Sequence, residues 1–184
     1  MEITTVTPKD IDQIIAIEQA GFSAAEAGTR IQYLDRIAHF AGTFLVAREN
    51  SAAIGFVCGP AVQESELSDW MYERAVDNLP FGGNQMILTI AVAPQWRRKH
   101  IGSHLLAALE ETARTKGRKS IVLTCLQSRI RFYEHNGYCN TGISSSQHAA
   151  EIWYTMKKSI QAPLKDKYYG TKVEVNKPLS YLKK

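Results

Sequence analysis

Seven consecutive residues, Arg97-Arg98-Lys99-His100-Ile101-Gly102-Ser103, carry the clearest chemistry in the chain. They follow the apolar run 86–92 and Pro94, and they lead into a stretch with Ile101, Leu105, Leu106, Leu109 and Ala113 on one helical face. The pattern reads as a buried strand, a short turn and a long amphipathic helix. Such a turn aims several backbone N–H groups and a helix N-terminus at one point, which makes it an anion site. Arg97, Arg98 and Lys99 add positive charge, and Gly102 and Ser103 let a bulky anion approach the backbone. A pyrophosphate fits. The plainer alternative is a solvated basic turn capping an ordinary helix. The turn is no Walker loop, because G-x-x-x-x-G-K-[ST] is missing, and no Rossmann fingerprint, because G-x-G-x-x-G is missing.

Other side chains with chemistry are more scattered. Cys125 follows a buried strand expected at 120–124, but no histidine stands near it in sequence, and buried cysteines are inert. The histidines at 39, 100, 104, 135 and 148 form no ligand cluster; His100 and His104 are four apart, yet no third ligand follows. Segment 63–79 carries Glu64, Glu66, Asp69, Glu73 and Asp77 against Arg74, a local balance of −4. It would draw a cation if it overhung a site and is otherwise a solvated loop. Trp70, Met71, Tyr72 and Phe81 beside it offer an apolar or aromatic lining.

Two blocks resemble one known family. Val92-Ala93-Pro94-Gln95-Trp96-Arg97-Arg98-Lys99-His100-Ile101-Gly102-Ser103 is similar to the [Q/R]-x-x-G-x-[G/A] signature of the GCN5-related N-acetyltransferase (GNAT) superfamily. Here His100 stands where the family usually has glycine; if that position needs a positive φ, histidine costs about 1 kcal/mol there. Arg131-Phe132-Tyr133-Glu134-His135-Asn136-Gly137-Tyr138 looks like the family's F-Y-x-x-x-G-[F/Y] segment. The common asparagine before that helix falls on Leu126. Shorter pieces, Ala24-Ala25-Glu26-Ala27, Gly82-Gly83-Asn84-Gln85 and Leu123-Thr124-Cys125, resemble the aralkylamine N-acetyltransferase branch.

The resemblance implies a mixed α/β fold, with a mostly antiparallel central sheet of about six to seven strands flanked by about four helices. Acyl-CoA would bind where the central strands splay, with acetyl-CoA as co-substrate and no metal. The backbone of Ile90, Ala91 and Val92 would hydrogen-bond the pantetheine, and Arg97, Arg98, Lys99, His100, Ile101, Gly102 and Ser103 would take the pyrophosphate. Tyr133 would protonate the departing thiolate. The expected reaction is direct transfer of acetyl to a primary amine, an arylalkylamine or polyamine-like small molecule. A protein amine, or a weak acyl-CoA sensor without turnover, is the alternative. The base is not legible: the branch's two strand histidines correspond to Met86 and Leu88. Asp69, Glu73, Glu26, His148 or a water chain could serve.

The surrounding elements follow from periodicity. Residues 2–6 read as a strand, and Thr7-Pro8 starts a helix with Ile11, Ile14, Ile15 and Ile17 on its inner face. Ser23-Ala24-Ala25-Glu26 is a capping box, predicting a second helix through Ile31, Leu34, Ile37 and Ala38 to about His39. Strands 43–48 and 53–62 form a hairpin, 63–85 is a long loop with room for one helical turn, and 86–92 is one central strand. A helix to Lys116, a strand at 120–124, a short helix at 128–136 and strands at 138–143 and 151–156 complete the order.

Composition bounds the rest. With 184 residues, 45% hydrophobic and 22% charged, the chain suits one domain over 1–160 and a basic extension over 161–184. The extension holds six lysines against Asp166 and Glu174, leaving 16 basic and 16 acidic residues in 1–160. That balance argues against a nucleic-acid partner. No apolar run of about 18 residues suggests a membrane span. Three widely spaced cysteines and the absence of a signal-like N-terminus point to the cytoplasm. A short strand in 168–175 could pair with a second subunit, giving a homodimer.

Overall fold

The β-branched start of the chain forms β1 (Glu2–Thr5), which pairs antiparallel with β2 (Phe44–Glu49) in the computed structural model. The structure describes residues 1–146 and 151–160. Strand β2 turns through Asn50 and Ser51, both at positive φ, into β3 (Ala52–Cys58). Two residues in the left-handed region match the twist of the flanking strands, which makes this a tight hairpin. Strands β4 (Ala61–Val62), β5 (Asn84–Ile87), β6 (Thr89–Val92), β7 (Ser120–Leu126), β8 (Cys139–Ile143) and β9 (Trp153–Ser159) complete the strand set of the described residues. The helices are α1 (Ile11–Gln19), α2 (Arg30–His39), α3 (Trp70–Glu73), α4 (Ile101–Thr115) and α5 (Ile130–His135).

The expected mixed, mainly antiparallel arrangement is present, but it is divided. One sheet runs β1-β2-β3-β6 and the other β4-β5-β7-β9-β8, nine strands in all among the described residues. The predicted single strands 53–62 and 86–92 are therefore each two strands, in different sheets. The cause is local. Gly59 packs so closely on the neighbouring backbone that a Cβ would lie 2.1 Å from the Met86 carbonyl oxygen, and Pro60 has no N–H to extend a ladder. Opposite it, the Leu88 N–H still donates to the Cys58 carbonyl (2.9 Å), while the Met86 N–H donates to the Pro60 carbonyl (2.8 Å). Both chains break at one level, and the sheets part there.

Past the break, β5 stays beside β7 in parallel register, Gln85 opposite Ile121 and Ile87 opposite Leu123. Strand β6 stays with β3 and has no strand on its other side among the described residues. The crossover β6–α4–β7 closes the unit, and Gly117 at φ +63 ends its helix. One core packs α1 and α2 on the sheets through Ile14, Tyr33, Phe44 and Phe56. The other packs α4 through Leu105 and Leu109 onto Val57 and Ile121.

Helix α2 departs from expectation. The box at Ser23 does form, with Glu26 Oε2 accepting from the Ser23 N–H (3.0 Å) and hydroxyl (2.6 Å). It closes a turn only, because Gly28 follows; the helix begins after Thr29, whose oxygen accepts from the Gln32 N–H (3.3 Å). The buried face also differs from expectation: Tyr33, Arg36 and Phe40 are buried, whereas Ile31 is 80% and Leu34 41% exposed. The expectations for His148, for 161–184 and for a dimer strand in 168–175 lie outside the described residues.

Candidate active site

The parting of the sheets opens a cavity of about 920 Å³ between β6, β7, the start of α4, α5, and a wall built from α1, the 21–28 segment and α2. Ile90, Ala91, Val92, Arg97, Arg98, His100, Ile101, Gly102, Ser103 and Tyr133 all line it. Lys99 does not. Its ammonium lies over the Trp96 ring, 4.5 Å from the centroid.

The turn between β6 and α4 has a backbone suited to an anion. Arg98 and His100 both sit at φ +59, alternating with residues of ordinary φ. The His100 position does require the left-handed region, where a non-glycine residue is strained. Alternating handedness points successive N–H groups to one side, forming a nest. Among the described residues, the N–H groups of Arg98 through Ser103 meet no acceptor, and the first helical bond at this end is His104 N–H to the His100 carbonyl (3.0 Å). Four of them belong to the cap and first turn of α4, where a helix has no internal acceptors and its dipole favours negative charge.

The cations of the turn divide into two kinds. Arg97 is tied down: Nε donates to the Val92 carbonyl (3.0 Å) and Nη2 to the Ala20 carbonyl (2.8 Å). It holds the turn to β6 and to the end of α1. Arg98 lines the cavity and is exposed. Gly102 gives room to protein as well as ligand, since a Cβ there would lie 3.1 Å from Phe132 Cζ. Gly102 therefore couples α4 to α5.

Tyr133 stands on α5, buried, with its ring 5.0 Å from Phe132 and 5.8 Å from Tyr138. Its hydroxyl has no hydrogen-bond partner among the described residues. Burial pushes its pKa well up, so the phenol holds its proton through neutral pH. Cys125 lines the same end, and burial raises its thiol to about 11. A thiol so raised is a poor nucleophile, which removes the support for an acyl-cysteine route. Tyr72 roofs this region. Its hydroxyl lies 3.4 Å from Thr124 Oγ1 on β7, and its carbonyl accepts from Gln32 Nε2 (3.1 Å) and Arg36 Nη2 (3.2 Å). The 63–79 segment is thus clamped onto α2 and β7.

The wall from α1 and α2 holds two residues that the sequence reading passed over. Glu18 is 2% exposed and lines the cavity. Its Oε1 accepts from the Gly28 N–H (3.0 Å), whereas its Oε2 is buried with no hydrogen-bond partner. Burial raises its pKa, opposed by the Gly28 N–H, Tyr33 and Arg36. Arg36, 4% exposed, packs over the Tyr33 ring at 4.9 Å and forms no ion pair among the described residues. The signal for Glu18 was present: it lies four residues after Ile14 and seven after Ile11, on the inner stripe of α1.

The earlier base candidates fall apart spatially. Glu26 lines the cavity, but Oε2 caps Ser23. Asp69 accepts from Ser146 (2.6 Å) and, like Glu73, is not on the cavity wall. The Gly82-Gly83-Asn84-Gln85 block is scaffold. Asn84 bridges the Glu64 carbonyl (2.9 Å) and the Ser120 hydroxyl (2.8 Å), and Gln85 donates to the Gly59 (2.9 Å) and Met86 (2.8 Å) carbonyls. Met86 and Leu88, at the branch's histidine positions, are buried core. No group of three or more potential metal ligands occurs among the described residues, and no helix there is long and apolar enough to cross a membrane.

Comparison with known proteins bears on the family and the fold. The family model described as "Acetyltransferase (GNAT) family" matches residues 11–138. A probable hydrolase of Bacillus subtilis, YhcX, is 27% identical over 130 residues, covering 67% of this chain and 25% of that protein. The chain thus spans about a quarter of that relative's length. Among solved structures, Ard1 from Thermoplasma volcanium has a TM-score of 0.68 at 24% identity, covering 87% of this chain and 97% of that one. The GphF GNAT-like decarboxylase in complex with isobutyryl-CoA has a TM-score of 0.74 at 18% identity, covering 88% and 100%. At these identities the structures show the shared fold.

Proposed function

The chain belongs to the acetyltransferase (GNAT) family, and from that premise we propose that it transfers acetyl from acetyl-CoA to the primary amine of a small molecule by direct attack. The observation that carries this reading is the continuity of the open edge of β6 with the unpaired N–H groups of Arg98 through Ser103, along one cavity wall. An edge strand followed by an anion nest fits an extended pantetheine followed by a pyrophosphate. When bound, acetyl-CoA supplies the acetyl group as an activated thioester.

In this reading the backbone of Ile90 and Val92, which faces the open edge of β6 while that of Ala91 is turned to β3, offers hydrogen bonds to the pantetheine and polarises the thioester carbonyl as charge develops on its oxygen. Arg98, His100, Ile101, Gly102 and Ser103 hold the pyrophosphate through backbone N–H groups, Arg98 adds charge, and Arg97 keeps the turn in place. Tyr133 keeps its proton at neutral pH and delivers it to the leaving sulfur. The Tyr72 clamp over the cavity favours a compact amine, arylalkylamine or polyamine-like, over a folded protein surface. Glu18 and Glu26, the carboxylates on the cavity wall, favour a cationic acceptor.

A coupled free-thiol assay with arylalkylamines, polyamines, aminoglycosides and N-terminal peptides tests this. CoA release with a small amine is the expected result. Turnover confined to peptides would move the acceptor to a protein amine. Confirmed acetyl-CoA binding with no turnover across the panel would turn the chain into a sensor. Tyr133→Phe should lower kcat tenfold or more with little change in KM.

A further inference from the structure

Glu18 has an unusual position for a glutamate that does nothing. It is buried on the last turn of α1, one oxygen fixed by the Gly28 N–H at 3.0 Å, the other without a hydrogen-bond partner, and it lines the same cavity as Tyr133 and β6. A carboxylate kept from water with an open lone pair is costly unless something answers it. The complementary chemistry is a cation with N–H donors.

We propose that Glu18 receives the acceptor's ammonium group and takes its proton, making it the general base of the reaction. This rests on the acetyl-transfer reading above. One ammonium proton passes to Glu18 Oε2, and the freed lone pair forms the new N–C bond at the thioester carbonyl. Collapse breaks the C–S bond, and the sulfur leaves as the thiol with the proton that Tyr133 delivers. The second proton lost from nitrogen restores Tyr133 by way of the cavity water, and Glu18 returns its own to solvent after release. The net yield is amide, free thiol and one proton.

The surroundings suit this task. Gly28 lets its N–H reach the carboxylate beside Tyr33 and Arg36, which a Cβ there would meet at 2.9 Å (Tyr33) and 3.3 Å (Arg36 Nη1). The charged and titratable groups facing Glu18 are Glu26 from the 21–28 segment and Tyr33 and Arg36 from α2, with Cys58 behind them on β3. Desolvation and Glu26 raise the carboxyl above the ordinary glutamate range, while the Gly28 N–H, Tyr33 and Arg36 restrain the rise. A base raised in this way is better matched to an amine than an exposed glutamate. The Tyr33 hydroxyl beside it is likewise buried without a partner, and a small rotation would let it donate to Oε2 in the absence of an amine.

The experiment measures the pH dependence of kcat/KM with the best amine of the panel, for the wild type, Glu18→Gln, Glu18→Asp and Tyr33→Phe, with acetyl-CoA affinity measured alongside. The expected result is a wild-type acid limb that disappears in Glu18→Gln, a fall in kcat of a hundredfold or more, and acetyl-CoA Kd within threefold. Glu18→Asp should keep the limb at reduced kcat, and Tyr33→Phe should shift the limb without removing it. An unchanged limb in Glu18→Gln, or equal kcat, overturns the proposal. If Glu18→Gln does not fold, a wild-type profile without a second ionisation below that of the amine overturns it by itself. A wild type that turns over no amine defeats the acetyl-transfer reading; a wild type that works equally well without the Glu18 carboxylate defeats only this assignment.

Discussion

Asp10, the residue before α1, and Glu18, on its last turn, are eight residues apart and both buried, and the protein answers one completely and leaves the other half open. Asp10, 5% exposed, accepts from Arg48 on both oxygens (2.8 and 2.7 Å) and from the Thr7 N–H (2.7 Å) and hydroxyl (3.0 Å). These contacts, the Arg48 hydrogen bonds foremost, hold its pKa below the ordinary range. Glu18, 2% exposed, has one backbone donor and is shifted upward by burial. The same functional group on the same helix is thus a clamp at one end, fixing α1 to β2. At the other end it is a group poised to change protonation. Burial alone does not distinguish them; the count of donors does.

The contrast is broken most directly by removing the clamp. Asp10→Ala leaves the Arg48 guanidinium without its bidentate partner, and breaking a buried pair in this way costs about 3 kcal/mol. Denaturant unfolding should show that loss as a lower midpoint at unchanged slope, with acetyl-CoA affinity within threefold at concentrations where the protein is folded. A loss below about 1 kcal/mol would put this pair among ordinary surface bridges.

A second test uses pH, because the two shifts have opposite signs. Asp10 has a folded pKa below its unfolded value, so its stabilisation is present above the unfolded value, about 3.9, and is lost as pH falls through the folded one. Glu18 has a folded pKa above its unfolded value, so the fold loses stability as pH rises through that range and regains it on acidification. Stability should therefore rise slightly from pH 7 toward the raised Glu18 value before falling steeply in acid. In Glu18→Gln the rise should vanish, and stability at pH 7 should be unchanged or higher by about 1 kcal/mol. A Glu18→Gln protein markedly less stable at pH 7 would make Glu18 a second clamp and erase the distinction.

These two carboxylates also show what a sequence discloses. The turn 97–103 and its helix were legible because strand, charge and helix start are neighbours in sequence, and the ends of α4 and α5 fall at glycines whose positive φ, +63 at Gly117 and +83 at Gly137, is a local backbone requirement. The division of 86–92 at Leu88 was not, since its cause is the approach of Gly59, which only the folded sheets bring near. The true start of α2 was hidden by two competing caps, Ser23 and Thr29, of which only the second is followed by residues free of glycine. Glu18 was missed for another reason: a charged residue on an apolar stripe reads as a blemish in the pattern until a cavity is found beside it.

The turn repeats the contrast of closed and open groups on a smaller scale. Arg97 is closed, tied to the Val92 and Ala20 carbonyls, so Arg97→Ala should let the turn drift from α1. Acetyl-CoA affinity should then weaken about tenfold, the size expected for losing hydrogen bonds from a charged donor. Calorimetric titration reads this directly, and an unchanged Kd would show that the nest holds its shape without the tether.

His100 gives the smallest effect and the sharpest reading of the open side. Its φ of +59 is strained for histidine and free for glycine, while the N–H proposed to meet the pyrophosphate belongs to the backbone and survives the change. Opposing this, glycine loosens the turn in the unbound protein, so part of the relieved strain returns as ordering entropy on binding. The two terms are each below about 1 kcal/mol, and His100→Gly should leave acetyl-CoA Kd within threefold or improve it. A loss above tenfold would mean that the imidazole itself contacts the cofactor, and that this turn answers its anion with a side chain as well as with the backbone.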